Sequence, residues 1–202
     1  MIMVNAVRIL RDKTNAGIMD CKHALKEASG DIEKAVEILR KKGKASASKM
    51  TGRVAREGCV ESYIHMGGKI GVLVEINCET DFVARNSEFK RLTRDIAMQI
   101  AASKPSYLNV RDIPKKVIEK EKEIFKEQIL SNEKNRKKPK EVINKIIDSK
   151  LQKFYEETCL LEQPFIKDQK LKIKDLIEQA IITLGENIVI RRFARYQLGE
   201  EL

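Results

Sequence analysis

An alternating stretch of residues restricts the fold of this chain more than any other feature. In the segment KIGVLVEINC (69–78), every second residue from Val72 to Cys78 is apolar, and Glu75 and Asn77 lie between them. A period of two is typical of a β-strand that buries one face. The sequence therefore predicts a strand here, and with it a sheet whose buried face must be covered by other parts of the chain.

Two further segments can complete that sheet. Residues 58–66 (GCVESYIHM) have the composition of a strand, and Gly67-Gly68 suits a hairpin turn because glycine tolerates positive φ angles. Residues 188–197 alternate again, which predicts a third strand that pairs with the hairpin. The remaining apolar residues recur at helical spacing. We therefore expect an α+β fold with a three-stranded antiparallel sheet.

The first 43 residues predict three short helices. Their apolar residues recur three and four positions apart, which is the spacing of one helix face. Gly30 suits the end of the second helix, Asp31 can cap the third, and Gly43 is expected to end it. The helices and their inward-facing residues are 5–13 (Val7 and Leu10, with Ile9 a further candidate), 18–28 (Ile18, Cys21, Leu25 and Ala28) and 31–43 (Ile32, Ala35, Val36 and Leu39).

These features divide the chain into three parts. Residues 1–43 form an N-terminal module. Residues 44–53 (KASASKMTGR) are small, polar and basic, which indicates a linker or at most a loosely held helical extension. Residues 54–202 form a core that contains the sheet and its packing helices, the first of them at about 87–102.

The core also contains a predicted helical hairpin at about 115–155. Pro114 and Pro139 suit the first turns of its two helices. Each helix has a narrow apolar stripe, which is typical of a coiled-coil-like pair. The basic residues at 134–140 then lie at an exposed tip, where solvation explains them. The stripes contain Val117, Ile118, Ile124, Phe125 and Ile129, and Val142, Ile143, Ile146, Ile147, Leu151 and Phe154.

The formal net charge of +10 is concentrated in two places. Residues 1–53 carry +6 and residues 114–150 carry +5, so the positive charge lies in the N-terminal module and the hairpin. Such a distribution suits an RNA-binding face. However, no aromatic RNA-binding motif, KH-type Gly-x-x-Gly loop or helix-turn-helix pattern accompanies it, and lysine predominates over arginine. We therefore predict no direct contact with nucleic acid.

Composition also argues against several other classes of protein. The four cysteines are scattered and the two histidines are isolated, so we expect reduced thiols and no metal site. Paired acids, a nucleophile with its base and a phosphate-binding glycine loop are all missing, so we expect neither an enzyme nor a cofactor. No apolar run approaches the roughly 20 residues that cross a bilayer. We therefore predict a cytoplasmic protein that does not bind a membrane.

The alternation ends abruptly at Thr80-Asp81-Phe82-Val83, where an acid stands beside a large aromatic residue. We call these four residues the corner. Phe82 can turn back into the core, as the end of a strand often does. It can also point outward and serve a function. The local pattern leaves both alternatives open.

Several segments resemble the bacterial elongation factor Ts family. The first includes the run Leu-Arg-x-x-Thr that precedes Ala-Gly and Met-Asp-Cys-Lys-x-Ala-Leu in that family. The chain departs mildly from the pattern, since Asn15 replaces a glycine and Ile18 replaces a methionine. The resemblance covers nearly the whole sequence and rests on LRDKTNAGIMDCKHALKEASGDIEKAVEILRKKG (10–43), NCETDFVARN (77–86), AASKPSYL (101–108), KFYEETCLLEQPF (153–165) and GENIVIRRFARYQLGE (185–200).

The resemblance implies a fold and an activity. The fold is a ubiquitin-associated-like three-helix module followed by a sheet-containing core with a protruding helical hairpin. The activity is guanine nucleotide exchange: the factor binds elongation factor Tu in its GDP form, displaces Mg²⁺ and promotes GDP release so that GTP can bind. No covalent bond is made or broken. The chain is similar to the short form of the family, which implies a homodimer and a 2:2 complex.

The resemblance also implies which residues contact the partner. Those of the corner, Thr80, Asp81, Phe82 and Val83, would enter the GTPase domain near its Mg²⁺ site, with Phe82 between two partner helices. In the N-terminal module, Leu10, Ile18 and Met19 would contact the same domain. For Leu10, packing inside the helical bundle is an alternative of similar weight.

Two other functions remain as alternatives. A basic RNA-binding module would bind with a steep salt dependence. An adaptor for ubiquitin-like folds would bind its partner through residues 5–43 without the core.

Overall fold

The structure is a computed structural model that describes residues 4–14, 16–132 and 138–200. Runs of helices and runs of antiparallel strands follow one another along the chain, which is typical of an α+β fold and confirms the predicted class. Their bounds are α1 Val4–Thr14, α2 Ile18–Glu27, α3 Ile32–Met50, β1 Glu57–Ile64, β2 Ile70–Cys78, α4 Asp81–Arg85, α5 Ser87–Ser103, α6 Lys115–Ser131, α7 Lys140–Thr158, β3 Pro164–Phe165, β4 Asp168–Lys172, α8 Ile173–Leu184 and β5 Val189–Gln197.

The chain forms two compact units, each made of several segments. The first unit contains the described residues of the ranges 1–61, 75–93 and 175–191. The second contains those of the ranges 62–74, 94–174 and 192–202.

The three predicted strands form one antiparallel sheet in the order β1-β2-β5. Val72, Val74, Ile76 and Cys78 of β2 are all buried, as their alternation predicted. β3 and β4 form a separate two-stranded sheet that we did not predict. β3 has only two residues, so it is too short to show a period of two.

The first three helices form a small bundle, as predicted. Asp31 caps α3, because its carboxylate accepts hydrogen bonds from the N–H groups of Glu33 and Lys34 at 3.0 and 3.1 Å. The prediction that Ile18 faces inward is wrong, since this side chain at the start of α2 is 55% exposed. The buried core of the bundle consists of Leu10, Cys21, Ala24, Leu25, Ala28, Ala35 and Leu39.

The third helix is longer than the sequence indicated. Gly43 does not end it, because α3 continues to Met50 and Ala47 is buried. Residues 44–50 are therefore helical, which fits the helical extension rather than an unstructured linker. Gly43 lies next to Ile182 of α8, so its small size serves a close packing contact. The division into a module at 1–43, a linker at 44–53 and a core at 54–202 stays a prediction.

In the second unit, α6 and α7 pack against each other as the two arms of the predicted hairpin. Ile129 and Leu151 are buried, and most other stripe residues are half-buried. Val142 near the start of α7 is 39% exposed. The basic residues predicted at the tip fall largely in 133–137, outside the described residues.

Candidate functional site

The corner joins a buried strand to a single helical turn. β2 ends at Cys78, and α4 begins three residues later at Asp81. Thr80 is extended (φ −127°, ψ 156°), and its hydroxyl accepts a hydrogen bond from the Val83 N–H at 3.4 Å. A threonine in this position is a preferred N-cap because it satisfies an N–H group that the helix itself cannot. The sequence Thr-Asp-Phe-Val therefore stops the strand and starts the turn.

Phe82 points into solvent. Its side chain is 82% exposed, so packing of this ring into the core, one of the two alternatives above, is wrong. Asp81 pairs with Arg85 one turn later at 2.8 Å. Both charges are well exposed, so this pair adds little stability. The turn thus presents an aromatic ring whose exposure the fold does not require.

A second segment of the chain holds the residues that precede the helical turn. The Glu186 Oε2 atom accepts hydrogen bonds from the N–H groups of Glu79 and Thr80, both at 3.0 Å. Its Oε1 atom accepts a further bond from the Thr80 hydroxyl. In return, the carboxylate of Glu79 accepts a hydrogen bond from the Asn187 N–H at 2.6 Å. We call Glu79, Thr80, Glu186 and Asn187 the carboxylate clasp.

The carboxylate clasp extends to the residues that follow α3. The side-chain amide of Asn187 donates to the Arg53 carbonyl at 2.7 Å. The Arg53 guanidinium lies 3.7 Å from the Glu79 carboxylate, and its positive charge partly offsets that of this acid. The Gly-Glu-Asn run at 185–187 belongs to a segment that resembles the family, but the sequence predicted no role for Glu186 or Asn187. Two polar residues directly after a helix-ending glycine were the available signal.

The N-terminal residues implied by the resemblance differ in exposure. Ile18 and Met19 at the start of α2 are 55% and 60% exposed. Leu10 is fully buried in the bundle, which fits the core-packing alternative stated for it. A side chain with no accessible surface cannot contact another protein unless the bundle rearranges.

Three of the four thiols are poorly suited to nucleophilic chemistry. Burial raises the pKa of Cys78 to about 11, and the neighbouring Glu186 carboxylate adds to the shift. Burial likewise raises the pKa of Cys59 and of Cys159. These thiols therefore stay protonated near neutral pH, where only the thiolate reacts.

The described residues contain neither a membrane-spanning helix nor a cluster of metal ligands. Within 4–14, 16–132 and 138–200, no helix is both long enough and apolar enough to cross a membrane. In the same part of the chain, no three His, Cys, Asp or Glu side chains are grouped so that they could hold a metal ion.

Comparison with known proteins identifies the family. The profile described as "Elongation factor TS" matches residues 21–200. The chain belongs to the elongation factor Ts family. Membership assigns it a role in translation elongation, together with a translation elongation factor as partner.

Individual relatives in the elongation factor Ts family match the chain along its whole length. The protein named "Elongation factor Ts" from Carboxydothermus hydrogenoformans is 58% identical over 202 residues, which are 100% of this chain and 91% of the relative. That from Caldanaerobacter subterraneus subsp. tengcongensis is 57% identical over 99% of this chain and 98% of its own length. That from Thermodesulfovibrio yellowstonii is 57% identical, with coverages of 98% and 97%.

Proposed function

We propose that this chain is a guanine nucleotide exchange factor for elongation factor Tu. It binds the GDP form, displaces Mg²⁺ and promotes GDP release so that GTP can bind, without making or breaking covalent bonds. The observation that carries the proposal is the exposure of Phe82 on a corner that hydrogen bonds hold in place. The N-terminal bundle acts as a ubiquitin-associated-like module, and the protein works in the cytoplasm.

The corner acts on the metal through the partner's helices. Phe82 inserts between two helices of the GTPase domain, with Asp81 beside it and Thr80 and Val83 shaping the turn. Displacing those helices disturbs the water and side-chain ligands of Mg²⁺, which demands near-ideal octahedral geometry. The ion compensates the charge of the phosphates, so its loss weakens the hold on GDP.

Phe82 does not supply enough free energy by itself. A nucleotide bound at nanomolar Kd is held by about 12 kcal/mol. Burying one phenylalanine contributes about 1.5–3 kcal/mol. Further contacts must therefore form more tightly with the nucleotide-free partner, because equal affinity for both states shifts nothing. Ile18 and Met19 are exposed and suit such contacts. We do not assign one to Leu10.

The affinities of GDP and of the factor are linked. If the factor weakens GDP binding by some ratio, GDP must weaken binding of the factor by the same ratio. The complex therefore forms most tightly with the empty partner and is released when GTP binds.

We also propose that the chain forms a homodimer through its sheet and a 2:2 complex with its partner. In the second unit, Ile64 of β1 is 66% exposed and Leu73 of β2 is 48% exposed. Ile64 lies against Gly71, whose position would bring an added Cβ within 3.2 Å of the Ile64 Cδ1 atom. Neighbouring exposed apolar side chains on one sheet face are typical of a protein interface.

Release of a fluorescent GDP analogue from elongation factor Tu tests the main proposal. Excess unlabelled GDP is added with or without this chain, and the release rate is followed by stopped flow. We expect the rate to rise with chain concentration and then saturate, and to fall again when Mg²⁺ is raised. An unchanged release rate at every concentration would contradict the proposal. Steeply salt-dependent binding to RNA instead would favour the RNA-binding alternative.

A further inference from the structure

We propose that Glu186 is a positioning residue for Phe82. Its carboxylate fixes the direction in which the aromatic ring leaves the corner, and its effect on the partner is exerted through that ring. This inference rests on the proposed exchange function. Glu186 is not one of the four corner residues, and we assign it no contact of its own with the partner.

The helical turn that carries Phe82 cannot orient itself. α4 has five residues, and none of them is buried. Isolated helices of this length are unstable, because the cost of nucleation is not recovered by so few hydrogen bonds. Its direction is therefore set by the residues that flank it, and on the preceding side Thr80 is its N-cap.

Glu186 holds those preceding residues at three points. It accepts bonds from the Glu79 and Thr80 N–H groups and from the Thr80 hydroxyl. Both N–H groups lie beyond the last residue of β2. The Glu186 carboxylate thus accepts hydrogen bonds from backbone N–H groups just after β2, whereas within β2 the backbone bonds to neighbouring strands. Hydrogen bonds to an ionised acceptor are also stronger than neutral ones.

The residues on either side of Glu186 are themselves held in place. Glu186 follows Gly185, whose φ of 74° ends α8. The next residue, Asn187, is buried and bonds to both Glu79 and the Arg53 carbonyl. The carboxylate clasp therefore ties the corner to the end of α8 and to the residues after α3.

Substitutions can separate the geometry of Glu186 from its charge. In Glu186→Gln, the amide oxygen can accept both N–H bonds, and the amide nitrogen can donate to the Thr80 hydroxyl. Glu186→Ala removes all three bonds. We expect the glutamine variant to keep most of the exchange activity and the alanine variant to lose most of it.

The first experiment uses the free chain, so it does not depend on any partner. The sequence has no tryptophan, so Phe82→Trp introduces a single fluorescent reporter. Time-resolved anisotropy then measures nanosecond motion at the corner. We expect a larger fast loss of anisotropy when Glu186→Ala is added, with the far-UV circular dichroism unchanged. Identical anisotropy decays in the two proteins would overturn the inference.

The second experiment is a double-mutant cycle on the GDP release rate. Glu186→Ala should slow release by about fivefold or more when Phe82 is present, and by less than about twofold in the Phe82→Ala background. If the two effects simply add, Glu186 does not act through Phe82 and the inference fails. If Phe82→Ala alone leaves the rate unchanged, the proposed function fails first.

A matched control addresses charge. Glu88 is an exposed carboxylate in the first turn of α5, near the corner but outside the carboxylate clasp. Glu88→Ala should leave both the anisotropy and the release rate unchanged. An equal effect of Glu88→Ala would assign the result to charge and overturn the inference. If Glu186→Ala does not fold, Glu186→Asp, which is one methylene shorter, carries the same two tests.

Discussion

Gly43 of α3 lies directly against Ile182 of α8. A Cβ atom added at position 43 would lie 2.9 Å from the Cδ1 atom of Ile182, closer than two carbon atoms pack. The glycine therefore permits the close approach of two helices within the first unit. It does so in the interior of a helix, where glycine costs about 1 kcal/mol relative to alanine.

This contact predicts that the effects of changes at the two positions are coupled. Gly43→Ala gains helix propensity but presses on Ile182, and the two effects oppose each other. Ile182→Val removes the Cδ1 atom that is in the way. Gly43→Ala should therefore be more favourable by about 1 kcal/mol in the Ile182→Val background than in the original chain. Urea denaturation of the four proteins measures this coupling, and additive free energies would show that the contact is loose.

Phe82→Ala should slow GDP release from elongation factor Tu by about tenfold or more, because it removes an insertion worth at least about 1.4 kcal/mol. The melting temperature should be nearly unchanged, since the ring is 82% exposed. Leu198→Ala is the matched control, because this exposed apolar side chain lies after the last strand. A variant that melts at a lower temperature yet exchanges normally would show that Phe82 stabilises the fold instead.

The exposed start of α2 predicts a second contact. Replacing both Ile18 and Met19 by alanine should raise the Kd for nucleotide-free elongation factor Tu by about tenfold or more. Stability should change little, because both side chains are more than half exposed. Val54→Ala, at another exposed apolar residue, serves as control. These substitutions test the contact better than deletion of the N-terminal module, since deletion would also remove the packing of Gly43 on Ile182. An unchanged Kd would remove this surface from the mechanism.

The fold was predictable where the pattern was long and local, and the site only in part. The alternation through Val72 and Ile76 located β2, because a repeated period reports a buried face. The role of Gly43 depends on Ile182, a residue far away in the chain, so the sequence nearby indicated only a helix end. The same reason hid Glu186, whose hydrogen-bond partners, Glu79 and Thr80, follow β2 and lie far away in the chain. For Phe82, the local sequence allowed the ring to point either into the core or into solvent. The direction of α4, the helical turn that carries the ring, makes it point into solvent.

Asp31 predicts a pH-dependent stability of the N-terminal bundle. The N–H of Lys34, and then that of Glu33, hold the pKa of this capping carboxylate below its ordinary value. Because the pKa is lower in the folded chain, the carboxylate stabilises the fold above the unfolded pKa, and this contribution is lost as the pH falls through the folded pKa. Asp31→Asn keeps a cap but does not titrate.

The melting temperatures of the original chain and of Asp31→Asn should therefore converge as the pH falls from about 5 to about 3. Glu37→Gln, at an exposed acid on the body of α3, is the control, and its melting temperature should follow that of the original chain across the same range. A constant difference between the original chain and Asp31→Asn would show that the cap does not contribute through its charge.

The exposed apolar sheet face predicts that a charged substitution on it will disrupt the proposed dimer. A stable protein interface buries about 1,200–2,000 Å² in total, so a carboxylate placed at its centre would be desolvated without a partner. Ile64→Glu should therefore shift the chain from dimer to monomer in sedimentation experiments. Its melting temperature at low concentration should hardly change, since Ile64 is exposed in the single chain. Val54→Glu adds the same charge at another exposed apolar residue and should leave the dimer intact. If both variants sediment as the original chain does, the sheet face that contains Ile64 is not the dimer interface.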